Sequence, residues 1–142
     1  MALNVLVVDD STVMRTMIIR SLRLSGLPIS EYYQAANGRE GLALLEKHCI
    51  DVALVDLNMP VMSGEEMIRI LRHNNRNSDL AIVVVSTESN ATRITGLRSQ
   101  GAAFVHKPFS PEILRETILE LTGVQDADLV GERTSQSSGP DF

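Results

Sequence analysis

Three carboxylates, two hydroxyls and one ammonium stand out in this chain. They are Asp9 and Asp10, Asp56, Ser86 and Thr87, and Lys107, and each closes a short run of apolar, mostly β-branched residues. Taken singly, each has a plain explanation. Asp10, Ser86 and Thr87 suit helix caps, Asp56 suits a turn, and Lys107 suits a solvated charge. Taken together they put carboxylates, a hydroxyl and an ammonium on one edge of the protein. Two carboxylates about 4 Å apart repel by roughly 4 kcal/mol at an effective dielectric of 20. Such a cluster does not form for stability, and a hard divalent cation relieves it. Carboxylate and water oxygens suit Mg2+. His48, His73 and His106 are scattered and Cys49 is alone, so no zinc set is present. Mg2+, a lysine and a hydroxyl together meet the needs of a phosphoryl group. Asp56 could itself be the nucleophile that carries it. A nucleotide is the competing ligand. No GxxxxGK[ST] stretch occurs, and no GxGxxG follows the first apolar run. Asn37-Gly38 reads as a strand-to-helix turn.

The elements that must position these residues alternate. Strands are expected over 4–9, 31–36, 52–56, 80–86 and 103–106. The first, third and fourth are almost wholly apolar, as strands covered on both faces should be. The second is more polar and suits an edge. Helices are expected over 11–25, 39–47, 65–74, 90–100 and 111–121. The first carries Met14, Met17, Ile18 and Leu22 at helical spacing and stops at Gly26. The last starts with Ser110 as cap and Pro111 at its first position. The fourth, with Gly96 and a ragged apolar face, is expected to be the least stable. Five β-α units predict an α/β fold, a doubly wound parallel sheet with right-handed crossovers. Ligands bind beyond the carboxyl ends of strands in such sheets, where all the residues above fall.

Composition narrows the classes further. At 142 residues the chain has room for one ordinary domain, and 44% apolar with 22% charged residues is a globular profile. Lys and Arg total 13 against 18 Asp and Glu, a net charge of −5 that gives no general attraction to nucleic acid or membrane. One cysteine makes no internal disulfide, which favours a cytoplasmic protein. The longest apolar run, 80–85, is too short to span a bilayer, and no signal peptide is visible. Residues 124–142 are acidic and then Ser-rich, and a disordered tail is expected there after a domain over 1–123.

The stretches VLVVDDS, ANGREGL, VDLNMPVMSG, VVVSTES and FVHKPFS, in this order over residues 4–121, resemble the receiver domain of bacterial two-component response regulators. The single-domain chemotaxis (CheY-like) type is the most similar. The resemblance implies a flavodoxin-like (βα)5 fold with strand order 2-1-3-4-5. It implies that Asp56 takes a phosphoryl group from a histidine kinase, so that the protein is a signalling phosphoacceptor rather than an enzyme. Asp9, Asp10, Asp56 and the backbone carbonyl of Asn58 would hold Mg2+, and Lys107 would pair with phosphoryl oxygens. Ser86 stands at the switch hydroxyl and Phe104 at the coupled aromatic, where the chemotaxis type commonly has Tyr. The resemblance also implies a cis Lys107-Pro108 bond. Asn58 and Glu88, two residues beyond the phosphoacceptor and the switch hydroxyl, would line the approach of water. As polar residues they predict a short-lived acyl phosphate. A monomer is expected, with the helix 4–strand 5–helix 5 face meeting a downstream protein.

A haloacid-dehalogenase-type phosphatase shares the Asp nucleophile, the Lys, the hydroxyl and Mg2+. Its nucleophile usually follows the first strand, where this chain has Asp9-Asp10, and no residues remain for a cap domain. A receiver cut from a longer regulator stays open, since residues 124–142 could begin a linker. A degenerate receiver used only for protein contacts is disfavoured by the complete acidic set.

Overall fold

The computed structural model describes residues 2–74 and 77–123. The expected tail over 124–142 lies outside the described residues. Five strands, β1 (Leu3–Val8), β2 (Ile29–Ala35), β3 (Val52–Val55), β4 (Ala81–Ser86) and β5 (Ala103–His106), alternate with five helices. The helices are α1 (Thr12–Ser25), α2 (Gly38–Lys47), α3 (Gly64–Arg72), α4 (Ala91–Ser99) and α5 (Pro111–Thr122). The strands form one parallel sheet in the order β2-β1-β3-β4-β5, the flavodoxin-like arrangement.

The apolar strands explain the layering. Successive side chains of a strand point to opposite faces. Val5, Val7, Val52, Leu54, Val83 and Val85 therefore pack with α1 and α5 in one core. Leu6, Val8, Ala53, Val55, Ile82 and Val84 pack with α2, α3 and α4 in the other. Side-chain caps start every helix. Ser11, Asn37, Ser63, Asn90 and Ser110 each accept a backbone N–H three residues on.

Most boundaries shift by about one residue from the sequence expectation, and the larger departures lie in β2, α3, the cap of α4 and two side chains of α1. β2 starts at Ile29, because Leu3 pairs with Ile29 across a register shift and donates its N–H to the Pro28 carbonyl. α3 starts at Gly64 and ends at Arg72. α4 is capped by Asn90 rather than by Ser86 or Thr87. On α1, Met17 is exposed and Ile19 is buried, so the buried stripe runs through Ile18, Ile19 and Leu22. α4 buries only Leu97, in line with its poor apolar face.

Candidate functional site

The register brings the acids together. Val8 and Val55 are partners in the β1–β3 ladder. Asp9 and Asp56, one residue further on each strand, therefore emerge side by side. Asp56 N–H donates to the Val8 carbonyl at 2.9 Å, which fixes the two strand ends. Carboxylate oxygens of Asp9, Asp10 and Asp56 lie within 4.8 Å of one another. Asp9 is buried, Asp56 half-buried and Asp10 exposed. The trio thus opens to solvent on the Asp10 side.

Asp9 and Asp56 are each held by a chain-local donor. Asp9 Oδ1 accepts the N–H of Ser11 at 2.9 Å. Its backbone carbonyl accepts from the Arg15 guanidinium at 2.5 Å, and Arg15 Nε reaches Gln34. Asp56 Oδ1 accepts the N–H of Leu57 at 2.9 Å. Lys107 Nζ stands between the acids, 3.2 Å from Asp9 Oδ2 and 3.7 Å from Asp56 Oδ1. The lysine enters from β5 because its N–H donates to the Ser86 carbonyl at 3.0 Å, and the Lys107-Pro108 peptide after it is cis.

The Asp56 carboxyl is held above the usual carboxylate range. Burial is the main cause, and the charges of Asp9 and Asp10 add to it. Lys107 and the Leu57 N–H act the other way without cancelling it. The anion is therefore under-compensated among the described residues. A hard cation bound by oxygens fits this deficit, and three convergent carboxylates are a donor set for one.

The rim belongs to the loops after β3 and β4. Ser86 is buried, and its Oγ accepts the Glu88 N–H at 3.2 Å. Thr87 is exposed. Asn58 and Glu88, far apart in sequence, both meet the guanidinium of Arg93 on α4. Arg93 also forms a two-pronged pair with Glu65 of α3. That hydrogen bond pulls the Glu65 carboxyl below its usual range. Glu88 is lowered chiefly by the Asn90 N–H, with Arg93 adding to it. Sequence reasoning missed Arg93, Glu65 and Arg15. Charged residues on helices read as a solvated face, and nothing in their spacing distinguishes them.

Phe104 is half-buried beside the core under α4 and stacks edge-on against His106, with ring centroids 4.7 Å apart. Phe104, His106, Pro108, Phe109 and Ile113 line an open cleft of about 550 Å3 along β5 and the start of α5. No helix among the described residues is long and apolar enough to cross a membrane.

Known proteins resemble this chain in sequence and fold. Residues 5–119 match the response regulator receiver domain family. A chemotaxis protein CheY homolog of Campylobacter jejuni is 33% identical over 132 residues, covering 92% of this chain and all of the relative. Chemotaxis protein CheY1 of Helicobacter pylori is 32% identical over 126 residues, covering 87% and 100%. The structure of Vibrio cholerae CheY4 superposes with a TM-score of 0.75 at 34% identity, covering 85% of this chain and 99% of that one. With its 2-1-3-4-5 sheet and its acidic trio at the β1 and β3 ends, this chain belongs to the response regulator receiver domain family and is a receiver of the CheY-like type.

Proposed function

We propose that this protein is the phosphoacceptor of a two-component system, modified on Asp56 by a histidine kinase. The observation that carries the reading is the Asp9–Asp10–Asp56 trio with Lys107 Nζ between two of its members. Asp56 Oδ1 takes the Leu57 N–H and lies nearest Lys107, so Oδ2 is the oxygen left to attack. It attacks phosphorus of a phosphohistidine, the P–N bond breaks, and the imidazole leaves with its electron pair and takes a proton. Lys107 pairs with a phosphoryl oxygen, and the Ser86 hydroxyl donates to another. Asp9, Asp10, Asp56 and the Asn58 carbonyl would hold Mg2+. When bound, that ion neutralises charge gathering on the phosphoryl oxygens.

Output follows from the same bonds. A hydroxyl drawn toward the phosphoryl group frees space next to the Phe104 ring. Phe104 and the sparsely buried α4 then form a two-position element on the α4–β5–α5 face, the surface for a downstream protein. The receiver spans residues 1–123, acts as a cytoplasmic monomer, and does no chemistry beyond gaining and losing its own phosphoryl group.

The test is incubation with acetyl phosphate and Mg2+, read by intact mass. Wild type gains one phosphoryl group and Asp56→Asn gains none. Equal gain by Asp56→Asn removes Asp56 from the role.

A further inference from the structure

Arg93 has no part in the phosphoacceptor chemistry above, yet its guanidinium joins three separate segments. Nε and Nη2 meet the two Glu65 oxygens of α3 at 2.5 and 2.6 Å. Nη1 pairs with Glu88 Oε1 in the loop after β4. Nη2 also reaches Asn58 Oδ1, in the loop after β3, at 3.3 Å. The other Glu88 oxygen accepts the Asn90 N–H at 2.9 Å, and Asn90 Oδ1 accepts the Arg93 N–H at 2.9 Å. Arg93 thus holds Glu88 directly and also through the residue that caps its own helix.

A surface ion pair by itself contributes little. This one differs in two ways. The fork to Glu65 is the geometry of strong arginine–carboxylate pairs. Its other two partners stand in the loops after β3 and β4, the first of which also bears Asp56. Glu88 is mostly shielded from solvent, with its side chain 17% exposed.

Loss of the phosphoryl group is hydrolysis. Water oxygen bonds to phosphorus, the bond from phosphorus to the Asp56 oxygen breaks, and both water protons leave on the phosphate. A side chain that speeds this step must accept a hydrogen bond from the attacking water. Asn58 Oδ1 and both Glu88 oxygens already accept from Arg93 or Asn90. The neighbouring positive charge also weakens their pull on a water proton. We propose that Arg93 is a positioning residue that restrains hydrolysis of the Asp56 acyl phosphate by holding the Asn58 and Glu88 side chains on its guanidinium. The inference rests on the phosphoacceptor reading.

The experiment measures decay of the phosphorylated protein after removal of acetyl phosphate. It compares wild type, Arg93→Ala, Arg93→Lys, the double variant Asn58→Ala with Glu88→Ala, and that double variant carrying Arg93→Ala. Arg93→Ala is expected to decay roughly fivefold faster, the scale of one hydrogen bond expressed in a rate. Arg93→Lys, which keeps the charge but loses the fork, should fall between the two. In the double variant, adding Arg93→Ala should change nothing, because the groups it releases are gone. A merely structural arginine would not lose its effect in that background. Equal or slower decay in Arg93→Ala and Arg93→Lys overturns the proposal, as does acceleration that persists in the double variant. A wild type that takes no phosphate overturns the phosphoacceptor reading instead, and the two failures are distinct.

Discussion

A β-carbon at Gly64 would stand 2.1 Å from the backbone carbonyl oxygen of Asp56. The first turn of α3 therefore rests directly on Asp56, the proposed phosphoacceptor, and the Gly64 N–H donates to the Leu57 carbonyl at 3.0 Å. Gly64→Ala must push the loop after β3 outward. The expected cost is about 1–3 kcal/mol in urea unfolding. Phosphorylation by acetyl phosphate should slow as well, since Asp56 moves relative to Lys107. An alanine variant with wild-type stability would contradict this close approach.

Burial raises the Asp56 carboxyl above its unfolded value, and the sign of its linkage follows. A raised acid contributes stability below the unfolded pKa and loses it as pH climbs through the folded one. Without metal, Asp56→Asn should therefore be more stable than wild type at pH 7. The gap should close as pH falls toward the usual carboxylate range. Denaturant midpoints of both proteins in chelator, from pH 4 to 8, check this. A gap that widens on acidification would reverse the assigned cause.

Asp9 and Asp10 should separate metal binding from folding. Asp9 is buried and holds both the Ser11 N–H and Lys107. Asp9→Ala leaves those donors unsatisfied and should cost about 1–3 kcal/mol as well as Mg2+ affinity. Asp10 is exposed, so Asp10→Ala should weaken Mg2+ with stability unchanged or raised by the eased repulsion. Calorimetric titration with Mg2+ beside thermal melts reads both. Unchanged affinity in both variants would remove the acids as ligands.

Val61 holds φ at +70°, a region β-branched residues avoid, while the Met62 N–H bonds back to the Pro60 carbonyl at 2.7 Å. The residue is 69% exposed, so little burial repays the strain. Val61→Asn should raise stability by about 1 kcal/mol. A lower denaturant midpoint in Val61→Asn would show that the turn favours valine.

Beryllofluoride, a phosphoryl mimic, should shift amide signals well beyond the pocket. Shifts are expected from Asn90 to Phe104, through α4 and β5, as well as in the loops bearing Asp9, Asp56 and Lys107. Shifts confined to those three loops would rule out Phe104 and α4 as the responding element. Complete conversion is not required, because going from 1:99 to 99:1 needs about 5.5 kcal/mol of differential stabilisation.

The sequence reading locates β1, β3 and β4 within a residue because strands buried on both faces cannot hide their composition. β2 was legible only in part, since its outer edge tolerates Ser30, Glu31 and Gln34 and so carries little pattern. Within the candidate site, the convergence of Asp9, Asp10, Asp56 and Lys107 was legible from one rule, that ligands bind at strand ends. Arg93 was not. Its partners lie 5, 28 and 35 residues away, and only the pairing of β3 with β4, which sets the segments following these strands side by side, brings them within reach. Arg15 was hidden similarly, because its first partner is a backbone carbonyl, which no residue type announces.

Helix α4 is tied to α3 at both ends, by different chemistry. At its C-terminal end, Arg72 donates to the carbonyl of Gln100, the residue that caps α4, at 2.7 Å. At its N-terminal end, Arg93 and Glu65 form a fork with each side chain about a third exposed. Dissolved salt screens exposed ion pairs and leaves hydrogen bonds to neutral carbonyls almost untouched. Ionic strength therefore acts more strongly on the Arg93 end of α4 than on the Arg72 end. Concentrated salt should turn the helix into a lever, loosened beside the proposed phosphoacceptor and still held by Arg72 at its other end.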